Sequence, residues 1–377
     1  MLCLVSTGFL RLARLRLYSR PFLASLSADW ATASALLSSL VKRKGTLGSL
    51  VRSLYGILSY TIRLYRDIKP QIPYKALKHF DWYISIIRAC PNLDEMEVAA
   101  DTEEELEQIL QAIRSTKLVS VNFGRFGGLS GPLSTNDHLA RKALQHPAFR
   151  NVEKISLHRL LVDLEDSTSI IPQAIKSVNL DDNYREHARA QQLMPVDCSN
   201  LVQFRLTTWV RYEHIVTYLT SLPSTIRNIS LNIKDDREIK RFFDYTTRPS
   251  NDTGILRDAL LSLPLPQLRS LIIFQFPTLS PRLLDTLFRN SPHIAYLDFF
   301  RSVWVLDIPH NNRVAWVEHC EAVFPLTEII AILEKFKHLR RVHLGHVPAT
   351  KEIVEGLEEA KKKVGFELEW ESQPLPI

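Results

Sequence analysis

The sequence predicts an α/β solenoid, with parallel strands on an inner curve and helices outside, preceded by a short helical segment. Two observations predict it. A pattern of apolar, two others, apolar, one other, apolar recurs nine times along the 377 residues. Between copies the chain usually reads as a helix closed by a proline-bearing turn, as in IIRACPNL before Leu93, YLTSLPSTI before Ile226 and LFRNSPHI before Ile294. Proline cannot continue the helix, so the chain turns and enters the next strand.

In chain order the copies are LDEMEV (Leu93 to Val98), LVSVNF (Leu118 to Phe123), VEKISL (Val152 to Leu157), IKSVNL (Ile175 to Leu180) and LVQFRL (Leu201 to Leu206). They continue as IRNISL (Ile226 to Leu231), LRSLII (Leu268 to Ile273), IAYLDF (Ile294 to Phe299) and LRRVHL (Leu339 to Leu344). Their starts lie 25, 34, 23, 26, 25, 42, 26 and 45 residues apart. The last four residues of each copy alternate, which is a strand with one buried face, and the first apolar residue caps the core as the chain enters it. A helix, a turn and a strand in about 20 to 29 residues make the leucine-rich-repeat unit. One such unit cannot bury its apolar face, whereas stacked units bury a continuous core. A doubly wound sheet also alternates strands and helices, but its central strands read as solid apolar runs. Here positions three and five are mostly polar, as in Glu95/Glu97, Lys154/Ser156 and Gln203/Arg205, which predicts one wet face.

The remaining segments fit around the copies. DTEEELEQIL (Asp101 to Leu110) reads as an outer helix with a solvated face. Lys234 to Gly254 and Arg301 to Cys320 are insertions, and solenoid insertions fall on loops that often face a partner. The second reads as a hairpin turning at HNN and carries Trp304 and Trp316, which either anchor an interface or pack on the solenoid. Near the end, ATKEIVEGLEEAKKKVGFELEW reads as a helix with Lys361 to Lys363 in its last turn, a stop at Gly365 and a closing strand.

Composition narrows the function classes. Hydrophobic residues make up 45% and charged residues 23%, as in an ordinary globular chain. The net charge of +6 is uneven: residues 1 to 66 hold ten Lys/Arg against Asp29 alone, so the remainder sums to −3 and the body is not a nucleic-acid binder by charge. No stretch reaches the roughly 18 apolar residues of a membrane helix. Cys3, Cys90, Cys198 and Cys320 lie far apart without a CxxC pair, which fits a reducing compartment and no zinc site. The sequons at Asn228 and Asn251 read as coincidence without a secretory signal. Gly124 to Pro132 sits where a phosphate loop would sit, but its spacing is not GxGxxG and no Lys-Ser/Thr follows Gly131. His343 and His346 fall at and just beyond the ninth strand and read as surface histidines, and Asp181-Asp182 reads as a hydrated loop tip. Nothing assembles a nucleophile, a base and an orienting group, so the expectation is a non-enzymatic binding protein without cofactor or metal.

The stretches CPNLDEMEV, LPLPQLRSLII and NSPHIAYLDF resemble the irregular leucine-rich repeats of fungal F-box proteins, which have a ribonuclease-inhibitor-like horseshoe. The resemblance covers residues ~45 to 370. LCLVSTGFLRLARLRLYSR (Leu2 to Arg20) resembles the end of the F-box module, with Cys3, Val5, Ser6, Phe9, Leu12, Ala13, Leu17 and Tyr18 in matching places. The resemblance thus implies a helical F-box remnant and linker over residues 1–44 and a repeat domain over 45–377. It also implies that Leu4, Val5, Phe9 and Leu12 contact a Skp1-like adaptor, and that the protein presents a substrate to a cullin-based ubiquitin ligase in cytoplasm or nucleus. The first helix of that module would precede Leu2, so the expectation is either a longer protein or a reduced Skp1 surface. Residues 1 to 28 also satisfy the pattern of a mitochondrial transit peptide, Arg- and Ser-rich and acid-poor, which leaves a mitochondrial repeat protein or a repeat scaffold without ligase role as alternatives. The substrate is expected on the inner strand face, where later copies offer Gln203, Arg205, Asn228, Ser230, Tyr296, Asp298, Phe300, Arg341 and His343. Tyr296, Phe300 and Arg341 are of the types enriched at interface hot spots.

Overall fold

The computed structural model describes residues 19, 47–54, 79–98, 100, 102–115, 117–123, 139, 142–158, 174–182, 199–208, 219–220, 222–233, 265–274, 279–302, 326–348 and 350–373. The Skp1-contact candidates, the Gly124 to Pro132 loop, both insertions after Ser302 or from Lys234, and the two insertion tryptophans lie outside the described residues. The chain falls into two compact units, Met1–Ile175 and Lys176–Ile377.

The first unit contains a 3-10 turn (Gly48–Leu50), α1 (His79–Ala89), β1 (Glu95–Val98), α2 (Glu103–Ala112), β2 (Ser120–Phe123), a 3-10 turn (Pro147–Phe149) and β3 (Lys154–His158). The strands are parallel and paired in chain order, Glu95 with Ser120 and Ser120 with Lys154. The predicted acidic helix is α2. Thr102 caps it by accepting the Glu105 N–H, Glu103 to Glu105 fill the first turn, and Leu106, Ile109 and Leu110 turn inward.

The second unit contains β4 (Ser177–Asp182), β5 (Gln203–Thr208), β6 (Asn228–Ile233), β7 (Ser270–Phe274), α3 (Pro281–Asn290), β8 (Tyr296–Asp298), α4 (Leu326–Leu333), β9 (Arg341–Pro348), α5 (Lys351–Lys363) and β10 (Glu367–Gln373). Every neighbouring pair from β4 to β10 is parallel. Strand order equals chain order, without the reversal that marks a doubly wound sheet. A mixed α/β, solenoid-like architecture with an all-parallel sheet therefore stands in each unit.

All nine predicted copies place their first, fourth and sixth residues in the core, from Leu93, Met96 and Val98 to Leu339, Val342 and Leu344. Each such side chain contributes about 1.5–3 kcal/mol when buried. Position two performs a repeated backbone task. Its carbonyl accepts two consecutive N–H groups from the next copy: Arg227 O takes those of Arg269 and Ser270 at 2.8 and 3.0 Å, and Arg269 O takes those of Ala295 and Tyr296 at 2.8 and 3.0 Å. The same fork joins Asp94 to Val119/Ser120 and Lys176 to Val202/Gln203. The same fork marks a rung ahead of the first copy. Arg52 O serves Asp94 and Glu95 in this way, and Ser53 bridges Glu95, so Val51-Arg-Ser-Leu54 is a further rung without the sixth apolar residue. In turn Ser19 O accepts from Arg52 and Ser53 at 2.8 and 3.0 Å, so the opening stretch supplies a backbone acceptor to the first rung.

Four expectations need correction. Asp181 and Asp182 are the last residues of β4, not a loop tip. His346 lies within β9 rather than beyond it. Helix α5 ends at Lys363 with Val364 in extended backbone (φ −75°, ψ 148°), so it stops by straightening and not by a left-handed glycine; the three lysines of its last turn are as expected. Glu97 sits on the predicted wet face yet is only 2% exposed, and its register partner Asn122 is buried too.

Candidate protein-docking face

The polar side of the second unit's sheet is built in rows, because parallel in-register strands place equivalent positions side by side about 4.8 Å apart. Position three forms the row Ser177, Gln203, Asn228, Ser270, Tyr296, Arg341, Glu367. Position five forms Asn179, Arg205, Ser230, Ile272, Asp298, His343, Glu369. Eight of the nine sequence-predicted candidates are in these two rows, and Phe300 is the second residue past the end of β8. Gln203, Arg205, Tyr296 and Arg341 are exposed, while Asn228, Ser230, Asp298, Phe300 and His343 are half-buried.

The geometry gathers some of them and leaves others apart. Around β7 to β10 an aromatic cluster forms. The Phe274 and Phe300 rings meet edge to face with centroids 5.8 Å apart, Phe300 and His343 are 5.5 Å apart, and the Arg301 guanidinium lies 5.4 Å from the Phe300 ring centre. Tyr296, 44% exposed, is on the same face in the position-three row, between Ser270 and Arg341 and four residues before Phe300. Asp298 fixes the chain here by accepting the Phe300 N–H at 3.0 Å. Gln203, Arg205, Asn228 and Ser230 lie on β5 and β6, on the same face but outside this cluster.

Charged residues at its border are held in defined pairs. Arg341 donates to Glu369 from Nη2 at 2.7 Å and from Nε at 3.3 Å. That hydrogen bond holds the Glu369 carboxyl below its usual range and raises the Arg341 guanidinium. Glu371 accepts the Arg301 N–H at 3.1 Å and lies 3.3 Å from His346 Nδ1. Burial pushes the His346 imidazole below its ordinary 6.5, with Arg301 and His343 acting the same way against the pull of Glu371. His343 Nδ1 accepts the Gly345 N–H at 3.1 Å and lies 3.9 Å from the Asp298 carboxylate.

Both histidines face the same side because β9 carries a bulge. His343 pairs with Glu369 and His346 with Glu371, so Leu344 and Gly345 together oppose Trp370 alone. Gly345 adopts φ +78° there. Sequence reading missed Ile272, Phe274, Arg301 and Glu371. The available signal was LRSLIIF, in which position five of the seventh copy is apolar where the other copies are mostly polar.

Among the described residues no group of three His, Cys, Asp or Glu side chains is placed to hold a metal ion. Cys90 is buried, with its thiol pushed up to about 12 by that burial, and so is not poised as a nucleophile. No helix among the described residues is long and apolar enough to cross a membrane. The arrangement places the Phe274–Phe300 ring contact and two ordered contacts of charged residues, Arg341–Glu369 and Arg301–Glu371, on the second unit.

No family model matches the chain, and no curated protein matches it. Solved structures do match. One is a protein from Bacteroides fragilis, 12% identical, with a TM-score of 0.45 over 85% of this chain and 84% of that one. An overlap of that extent leaves the fold to rest on the chain's own strand order and register.

Proposed function

We propose that the protein is a non-enzymatic binding module of the leucine-rich-repeat type, and that the polar face of its second unit docks a protein substrate. The observation that carries this reading is the Phe274–Phe300 ring contact, with Ile272 and the exposed Tyr296 on the same otherwise polar sheet face, bordered by the Arg341–Glu369 and Arg301–Glu371 contacts. It has the anatomy of an interface: an aromatic centre, with a charged border already ordered before a partner arrives. Tyr296→Ala together with Arg341→Ala weakens partner capture and leaves the fold intact, since both side chains are exposed.

The substrate would be delivered to a cullin-based ubiquitin ligase through a Skp1-like adaptor, in cytoplasm or nucleus. This part rests on the resemblance of Leu2 to Arg20 and of the repeats to fungal F-box proteins. The Ser19 carbonyl on the first rung supports the opening stretch as a piece of the folded body over a detachable mitochondrial leader. A pull-down with purified Skp1 tests it. Retention of Skp1 by the wild type and by the Tyr296/Arg341 variant alike is the expected result, and failure of both to bind leaves a repeat scaffold without a ligase role.

A further inference from the structure

A second surface is independent of the docking face. The residue at position two is the one whose carbonyl forks to the next copy, so these residues stack one per strand along the amino-terminal rim of the sheet. In the second unit the stack runs Lys176, Val202, Arg227, Arg269, Ala295, Arg340, each joined to the next by an N–H···O bond of 2.8 Å. Lys176, Arg227, Arg269 and Arg340 are exposed. Arg227, Arg269 and Arg340 have no ion-pair partner among the described residues.

The sign of this rim is uniform. The four residues leading into each strand from β4 to β10 contain no Asp or Glu; they supply Lys176, Arg227, Arg269, Lys337, Arg340 and Lys363 together with His293 and His338. The corresponding residues of the first unit include Asp94 and Glu153. The second unit as a whole is neutral, with 25 Lys/Arg against 25 Asp/Glu, so the rim's charge comes from placement and not from a basic composition. Compensation of helix ends does not account for it. Arg289 and Lys361 to Lys363 already occupy the last turns of α3 and α5, and the dipole's influence fades within a turn. Lys335, by contrast, is engaged with Asp285 at 2.9 Å.

We propose that this rim binds an acidic, extended segment of a partner protein through Arg227, Arg269 and Arg340. From β4 to β9 there are five strand steps of about 4.8 Å, roughly 24 Å in all, which an extended peptide covers in about seven residues. The guanidinium fork matches a carboxylate in two hydrogen bonds. Single-stranded nucleic acid fits less well. The residues leading into β4 to β9 hold no Phe, Tyr or Trp on which a base could stack, and a neutral unit lacks the long-range field that gathers a polyanion.

The test is fluorescence anisotropy of the full chain with a labelled Glu/Ser peptide of about eight residues, long enough to span the rim. Binding is expected at low salt, falling steeply as salt shortens the screening length. R227Q/R269Q/R340Q should weaken it about tenfold and the corresponding Glu variants further, from three exposed pairs of modest strength each. R282E/K351E, which changes charge at the far ends of α3 and α5, should leave it unchanged, and circular dichroism should show all variants folded. Absence of binding, equal binding by the rim variants, or displacement of the peptide by an oligothymidylate or by anionic lipid vesicles at lower concentration overturns the proposal.

Discussion

Gly345 shows how one residue sets the chemistry of a face. In a regular strand, side chains three positions apart point to opposite sides, so His343 and His346 would be separated by the sheet. The bulge at Leu344-Gly345 returns His346 to the side of His343, where it meets Glu371. Only glycine serves the position easily. Its φ is +78°, and a Cβ built there would stand 2.3 Å from the Phe299 carbonyl oxygen and 2.7 Å from that of Ser302. Gly345→Ala is therefore expected to destabilise the protein by more than about 2 kcal/mol, visible as a lowered urea midpoint with an unchanged slope. The pattern LRRVHL announced Val342 and Leu344 as core, but an alternation that breaks after Leu344 leaves no apolar mark, so the bulge was not legible in the sequence.

At the scale of the element, the repeat is a backbone device as much as a hydrophobic one. The forked carbonyl at position two and the hydroxyls that reach the previous copy tie neighbouring copies together. Ser115 Oγ donates to Leu93 O at 2.7 Å, Thr225 Oγ1 to Leu201 O at 2.8 Å and Ser291 Oγ to Leu265 O at 2.9 Å. Ser291→Ala removes this donor while the Leu265 carbonyl keeps the Leu268 N–H at 3.0 Å, so the expected cost in chemical denaturation is about 0.5–1.5 kcal/mol, and Thr is expected to restore part of it. Strand positions were readable because burial on one face writes a period of two into the chain, and all nine copies are strands. The ends of the stack were harder to read. Val51 to Leu54 lacks the sixth apolar residue, and its membership shows only through the Arg52 carbonyl. Helix α5 was readable from its lysines, but its stop was not, because the chain leaves through extended backbone at Val364 instead of a left-handed glycine.

At the scale of the whole molecule, register converts a weak one-dimensional pattern into a surface. Gln203, Asn228, Tyr296 and Arg341 are far apart in sequence, and stacking sets them in one row. The candidate site was therefore legible as positions, since each copy offers its third and fifth residues outward. Its content was less so: Phe274 and Arg301 join through ring contacts that no spacing rule contains, and Glu97 occupies an outward position yet is buried. The polar rows of the second unit and its basic rim are separate surfaces, so changes to one should leave the other's binding intact.

Contact of a partner protein with the polar face of the second unit, at the exposed Tyr296 and the Phe274–Phe300 rings, is the core of the proposed function. A photo-crosslinking amino acid placed at Tyr296 tests it most directly, beside one at the exposed Glu355 on helix α5, in cells that make the protein. A discrete protein adduct is expected from position 296, diminished by Arg341→Ala, with no such adduct from position 355. Equal adducts from both positions, or none from 296, would contradict it.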